Sequence, residues 1–289
     1  ERAFATGHQT LYDTTLGWRF VNPAMEALGH TDALGVTAEH IARGQHLAPP
    51  GEHAPDAVAA EYQISRAAQD RFALASHQKA IGAIDAGRFA AEIAPVTVQG
   101  RKGPALVVDD EGPRRDTTLE QLAALRPAFL KGGTVTAGNS SSLNDGAAAV
   151  LLVSKEYALA HGLRPLAAIR AMAVAGVPPR VMGIGPLPAT QKALQRAGLA
   201  LDAIGLIELN EAFAAQALGV LRAWQIDEDD PRVNVNGGAI ALGHPLGCSG
   251  VRILTTLLHE LRRRADVQFG LATMCIGVGQ GIAVVLERV

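Results

Sequence analysis

The chain has 289 residues, 48% apolar and 19% charged, which suits one large or two ordinary domains around a sizeable core. A net charge of −2, from 26 Lys and Arg against 28 Asp and Glu spread along the sequence, supplies no basic field, so neither nucleic acid nor a membrane surface is an expected partner. The longest unbroken apolar run, residues 147–153, is far below the roughly 18 to 20 residues of a membrane-spanning helix, and two cysteines, Cys248 and Cys275, are too few for a disulfide framework and suit a reducing, cytoplasmic setting.

The sequence opens on Glu1 in an irregular polar stretch without an initiator Met, and reads as a fragment. Breakers at Gly7, Gly17, Pro23, Gly29, Gly35, Gly44, Pro49, Pro50, Gly51 and Pro55 make residues 1–60 mainly loop, with one short helix predicted over 37–42 and Thr37 as its N-cap. Residues 43–59, rich in Pro, Ala and His, read as an insertion or linker. Ser65 then caps a strong helix running to about Ala86, with Phe72, Ala73, Ala80 and Ile84 on one stripe and Gly87 at its C-terminus. Residues 93–98 and 105–108, around a turn at Gly100 to Gly103, predict a small hairpin. From Thr134 a polar loop is expected to enter a small-residue helix and then an apolar strand ending near Ser154. Beyond it strand and helix alternate: a strand over 166–173, a helix over 189–196, a strand over 206–209 and a helix over 211–224, an α/β pattern. A helix over 249–264 carries Val251, Leu254, Leu257, Leu258 and Leu261 on one face, and strands over 269–275 and 282–286 close the chain as a hairpin.

Four constellations carry possible chemistry. Gly277-x-Gly-x-Gly281 superficially suggests a dinucleotide loop, but only eight residues follow it and they read as strand, not the helix such a loop must open. Asn210-Glu-Ala-Phe-Ala214 lies where a strand ends and a helix begins; capping by Asn210 and Glu211 alone would explain it, although strand C-termini are also where active sites collect. Around His244, the stretch Asn236-Gly-Gly-Ala-Ile-Ala-Leu-Gly-His-Pro-Leu-Gly-Cys-Ser-Gly250 has more glycines than a packed loop histidine needs. The adjoining helix N-terminus favours a neutral imidazole, able to act as base or donor. In Thr273-Met-Cys-Ile-Gly277, Cys275 faces a glycine-rich turn whose amides can stabilise a thiolate or an oxyanion, while Cys248 reads as packing. The nine histidines, His40, His46 and His53 among them, show no metal spacing, and no metal is expected.

Taken together, the Asn210, His244 and Cys275 motifs occur in the order found in thiolases, and Val135-Thr-Ala-Gly-Asn139 with Leu143-Asn-Asp-Gly-Ala147 extends the resemblance over nearly the whole chain. The stretches Leu11-Tyr-Asp-Thr-Thr-Leu-Gly-Trp-Arg-Phe-Val-Asn-Pro23 and Pro179-Arg-Val-Met-Gly-Ile-Gly-Pro186 look most like 3-oxoadipyl-CoA thiolases of aromatic-compound catabolism. The resemblance implies two similar halves, each a mixed five-stranded sheet covered by helices, with a loop domain inserted in the first half to bind coenzyme A. Residues 1–133 would be that loop domain, 134–157 the closing helix and strand of the first half, and 158–289 the second half; most of the first half, with the family's nucleophilic cysteine, would be absent. The implied activity is transfer of an acyl group from a 3-oxoacyl-CoA to coenzyme A, most like 3-oxoadipyl-CoA to succinyl-CoA and acetyl-CoA. Coenzyme A would be a co-substrate, with no permanently bound cofactor.

In that mechanism His244 would activate the nucleophile and, with a water held by Asn210, stabilise the enolate oxygen. Cys275 would be the acid and base, a role suiting a thiol that titrates near neutrality; the amide of Gly277 would serve an oxyanion hole, and Ser141 would contact the pantetheine. Arg19 is a candidate partner for a distal carboxylate. Ser142 replaces the Gly of many members, and residues 43–59 lengthen a link that is short in them. A general 3-ketoacyl-CoA or acetoacetyl-CoA thiolase is one alternative; a non-catalytic, acyl-CoA-binding relative, since the chain alone is expected to be inactive, is another. Homodimers or homotetramers are expected.

Overall fold

The computed structural model describes residues 21–44 and 63–289. Most of the 11–23 stretch, Arg19, His46, His53 and nearly all of the 43–59 insertion lie outside them. Asn22 accepts from Ala24 N and caps a short helix α1, Pro23–Ala27, which the breaker pattern had hidden. Helix α2, Leu34–Ala42, starts three residues earlier than expected. Thr37 is not its cap: Ala33 holds that position, and the Thr37 hydroxyl donates instead to Leu34 O within the first turn. Helix α3, Arg66–Asp85, follows the sequence closely, with Ser65 Oγ accepting from Ala68 N and Gly87 leaving it at φ +65°. The hairpin forms as β1, Val96–Gly100, and β2, Gly103–Val107, both exposed, and helix α4, Leu119–Ala123, opens with a Thr118–Gln121 capping box.

The helix and strand expected between 141 and 154 do not form. These residues have no regular structure, and Leu143, Leu151 and Leu152 are exposed. An apolar run becomes a strand only where a neighbour completes its ladder, and among the described residues none does. Helix α5, Lys155–Ala160, capped by Ser154, follows.

The remaining residues build one four-stranded mixed sheet from β3, Ala167–Gly176, β4, Ile204–Leu209, β5, Phe269–Ile276, and β6, Gln280–Arg288, in the order β3-β6-β5-β4. Only β4 and β5 run parallel. The expected fifth strand is reduced to one parallel bridge, Val233 to Ile207, because Asn234 turns away at φ +44°. Side-chain alternation sends Ile207, Leu209, Leu271 and Val285 to one face, against α6, Pro186–Ala197, and α7, Ala214–Ala223. Leu206, Ala272 and Leu286 face the other way, onto Ile253, Leu257 and Leu261 of α9, Leu246–Arg263, which follows the short helix α8, Ala239–Leu242. Each such leucine contributes about 1.5–3 kcal/mol by leaving water.

Helix α7 begins at Ala214, with Phe213 as N-cap. Asn210 therefore does not cap it. The helix is held off until Ala214 because the backbone pairs with residues 139–141: Ser141 N donates to Ala212 O, and Ala214 N donates to Asn139 O. A backbone carbonyl takes the place of a capping side chain, and Asn210 is freed for another use.

Candidate active site

Parallel pairing of β4 and β5 brings their C-terminal ends together. Leu209 lies opposite Thr273, and Asn210 N donates to Thr273 O, so Asn210 and Cys275 stand at neighbouring strand ends. The loop after α8 crosses this edge. Gly243 takes φ +93° there, and a Cβ on it would strike the Asn144 carboxamide; a Cβ on Gly238 would strike the Glu211 carboxylate. Glycine is required at both positions by conformation or contact.

The loop is pinned from both sides. Buried Glu211 accepts from Ser76 Oγ at 2.6 Å, Asn234 Nδ2 at 2.8 Å and Ile240 N at 3.2 Å, tying the start of the loop to α3. His244 N donates to the backbone carbonyl of Ser142 at 3.1 Å, and the Ser142 hydroxyl donates to Asn144 Oδ1. Nothing in the sequence pattern had separated Glu211 from a helix-end charge.

The imidazole of His244 lies between two partners. Its Nε2 is 3.4 Å from Asn210 Nδ2 and its Nδ1 is 2.6 Å from Ser249 Oγ. Burial, with Arg252 nearby, pushes its pKa down to about 4, so the ring is neutral at pH 7, as its place before a helix had suggested. Asn210 is fully buried, and its Oδ1 has no hydrogen-bond partner among the described residues. Ser249 was missed by sequence reasoning; its only signal was a small polar residue one turn into a helix that follows a histidine.

Cys275 is reached differently. It belongs to a buried apolar cluster with Ala38, Ala42, Val135, Met182, Ala212, Phe213 and Ala215. Burial pushes its thiol up to about 12, against a smaller opposing backbone hydrogen bond. The expectation of a thiol titrating near neutrality is thus corrected: apolar packing, not the glycine turn, dominates its surroundings, and it is a protonated thiol. Cys248 is also buried and its thiol raised by burial, consistent with packing. Gly277 opens the turn between β5 and β6, in which Val278 and Gly279 both take positive φ, +69° and +87°. The Ser141 hydroxyl donates to Ala212 O at 3.0 Å and keeps lone pairs to offer a ligand. Next to it opens a cleft of about 600 Å³ lined by His77, Arg114, Gln121, Ser140, Ser142 and Asn144, among others. The structure joins Asn210 with His244 directly, sets Cys275 at the adjoining strand end, and places Ser141 on the segment that pairs with residues 212–214. No group of three or more metal-ligating side chains occurs among the described residues.

Comparison with known proteins gives a consistent result. The profile for the thiolase N-terminal domain matches residues 22–156, and that for the thiolase C-terminal domain matches residues 163–288. The chain is 53% identical over 289 residues to the β-ketoadipyl-CoA thiolase of Pseudomonas aeruginosa, covering all of this chain and 67% of that protein. It is 56% identical over 259 residues to an acetyl-CoA acetyltransferase of Escherichia coli, covering 90% of this chain and 61% of that one. Among solved structures, human mitochondrial 3-ketoacyl-CoA thiolase in complex with CoA superposes with a TM-score of 0.80 at 44% identity, covering 91% of this chain and 60% of its own. The chain thus spans about two thirds of the length of the curated relatives it matches.

Proposed function

The chain belongs to the thiolase family, and from that premise we propose that it supplies the histidine, asparagine and acid-base cysteine of an acyl-CoA C-acyltransferase that cleaves 3-oxoadipyl-CoA with coenzyme A to succinyl-CoA and acetyl-CoA. The observation that carries this reading is the neutral, doubly held imidazole of His244 at the strand ends where Cys275 also lies.

Each group has a chemical reason for its role. The acyl acceptor is a cysteine supplied from outside residues 1–289, since neither Cys248 nor Cys275 stands in the acceptor's motif. The neutral His244 takes the proton of that thiol, whose sulfur attacks the 3-oxo carbonyl. The bond between C2 and C3 breaks and leaves the carbanion of acetyl-CoA, with its negative charge shared by the thioester oxygen. His244, now carrying the proton, and a water on Asn210 stabilise that oxygen. Cys275, a thiol at neutral pH, protonates the carbanion. Its thiolate then removes the proton of an incoming coenzyme A thiol, which attacks the acyl-enzyme and releases succinyl-CoA, while His244 returns its proton to the departing acceptor sulfur, so that both sulfhydryls are restored. A high thiol pKa suits this order, because the group begins as an acid and ends as a strong base. The amide of Gly277 serves the tetrahedral intermediates, and the pantetheine arm lies along Ser141, with Arg114 in the adjoining cleft as a phosphate partner.

In the same reading residues 1–133 form the loop domain that binds coenzyme A, 134–157 close the first half and 158–289 form the second half. Association into homodimers or homotetramers, a cytoplasmic location and the absence of a permanently bound cofactor belong to it too. No helix among the described residues is long and apolar enough to cross a membrane. The test is to join the chain to the unmatched third of the Pseudomonas aeruginosa relative and measure thiolysis. Cleavage of 3-oxoadipyl-CoA in preference to acetoacetyl-CoA, lost in His244→Asn, is expected; the reverse preference would favour the acetyl-CoA acetyltransferase relative, and turnover that survives His244→Asn would overturn the site.

A further inference from the structure

Behind His244 stands a serine to which none of these steps assigns a role. Ser249 lies in the first turns of α9, five residues after the histidine, and is fully buried. Its Oγ is 2.6 Å from His244 Nδ1 and donates to Pro245 O at 3.0 Å. A hydroxyl has one hydrogen; directed at Pro245 O, which can only accept, it leaves Oγ to accept the ring proton across the short contact to Nδ1. On the opposite edge of the imidazole, Asn210 Nδ2 faces Nε2 at 3.4 Å. An amide nitrogen has protons to give and no lone pair to offer, and an unprotonated Nε2 is the partner it can use. A ring protonated on Nδ1 satisfies both contacts.

We propose that Ser249 is a positioning residue that fixes His244 as the tautomer protonated on Nδ1 and leaves Nε2 without a proton. The opposite tautomer would set two N–H groups against each other at Asn210 and would draw the Ser249 hydroxyl hydrogen away from Pro245 O. The imidazole is uncharged near neutrality, so the choice between tautomers is a real one. The catalytic consequence rests on the thiolase reading: Nε2 has to be unprotonated when it meets the acceptor thiol, and becomes a donor to the enolate oxygen only after taking that proton. The tautomer itself rests on these contacts alone.

The experiment uses the 289-residue chain labelled with ¹⁵N-histidine at pH 7, with the His244 signals identified by their loss in His244→Gln. The expected spectrum shows Nδ1 as a protonated ring nitrogen and Nε2 far downfield as an unprotonated one. Ser249→Ala is expected to draw the two resonances toward each other as the tautomers exchange, and Ser249→Thr, which keeps the hydroxyl, to restore their separation. Should Ser249→Ala fail to fold by circular dichroism, Ser249→Cys, a weak acceptor of similar size, replaces it with the same outcomes. A parent spectrum with the proton on Nε2, or an unchanged separation in the variant without the hydroxyl, overturns the proposal. No step of this measurement needs turnover, so its outcome is separable from that of the thiolysis assay.

Discussion

Asn210 Nδ2 and His244 Nε2 lie 3.4 Å apart and join two segments separated by 34 residues: the end of strand β4 and the glycine-rich loop before α9. The contact exists because the chain after β4 pairs with residues 139–141 before it enters α7, leaving the Asn210 side chain free of helix capping. An uncharged partner on this edge of the ring does nothing to stabilise an imidazolium. Replacing it by a carboxylate in Asn210→Asp is expected to raise the pKa of His244 by about 1–3 units, as an opposite charge at hydrogen-bond distance does. Asn210→Ala is expected to leave it low. NMR titration of the His244 ring checks both; an unmoved titration in the aspartate variant would place the two side chains apart.

The depressed pKa of His244 has a sign in stability. In the unfolded chain this histidine binds its proton near 6.5, in the folded chain only near 4. Between those values the unfolded state holds more protons, so stability is fully present above pH 6.5 and declines as the pH falls toward 4. The loss from this one group amounts to about 3 kcal/mol. Urea unfolding from pH 7 to 4 is expected to show a shallower decline in His244→Gln than in the parent chain.

Glu211 makes a prediction about the loop. It accepts from a side chain of α3, from Asn234 and from the backbone of Ile240, all buried. Glu211→Ala strands these donors and is expected to cost about 3 kcal/mol. Glu211→Gln, which keeps one acceptor oxygen, should cost less. Chemical denaturation gives both values, and equal stability of the alanine variant and the parent would show that the clamp is not formed.

Val278 is a β-branched residue at φ +69° in the β5–β6 turn, 44% exposed, a left-handed conformation that costs free energy for a branched side chain. Val278→Gly relieves that strain but loosens the unfolded chain, for a net gain of about 1 kcal/mol. A higher unfolding midpoint is expected. A lower one would mean that valine is unstrained there.

The sequence revealed the site unevenly, for physical reasons. His244 was legible because its glycines answer to real constraints, a left-handed backbone at Gly243 and a close approach at Gly238. The strand carrying Cys275 and the one after it were legible from short apolar runs around a glycine turn. Local capping rules left Asn210 open as an N-cap, and only its place in the resemblance marked it as a site residue, because such rules cannot anticipate a carbonyl brought from residue 139. Residues 141–154 were misread because an apolar run predicts a strand only when something pairs with it. The acidity of Cys275 was misjudged for a similar reason: its turn was visible in the sequence, but Ala38 and Met182, which bury it, come from far away in the chain.

The central claim is that His244 and Cys275 serve one reaction, with Cys248 as a packing residue. It is tested most directly in the enzyme completed with the unmatched third of the Pseudomonas aeruginosa relative, by comparing thiolysis rates of Cys275→Ser and Cys248→Ser. Loss of an acid-base group of this kind is expected to slow Cys275→Ser by about 10²–10⁴-fold while Cys248→Ser keeps the parent rate. An undiminished rate in Cys275→Ser, or a collapse confined to Cys248→Ser, would contradict the account.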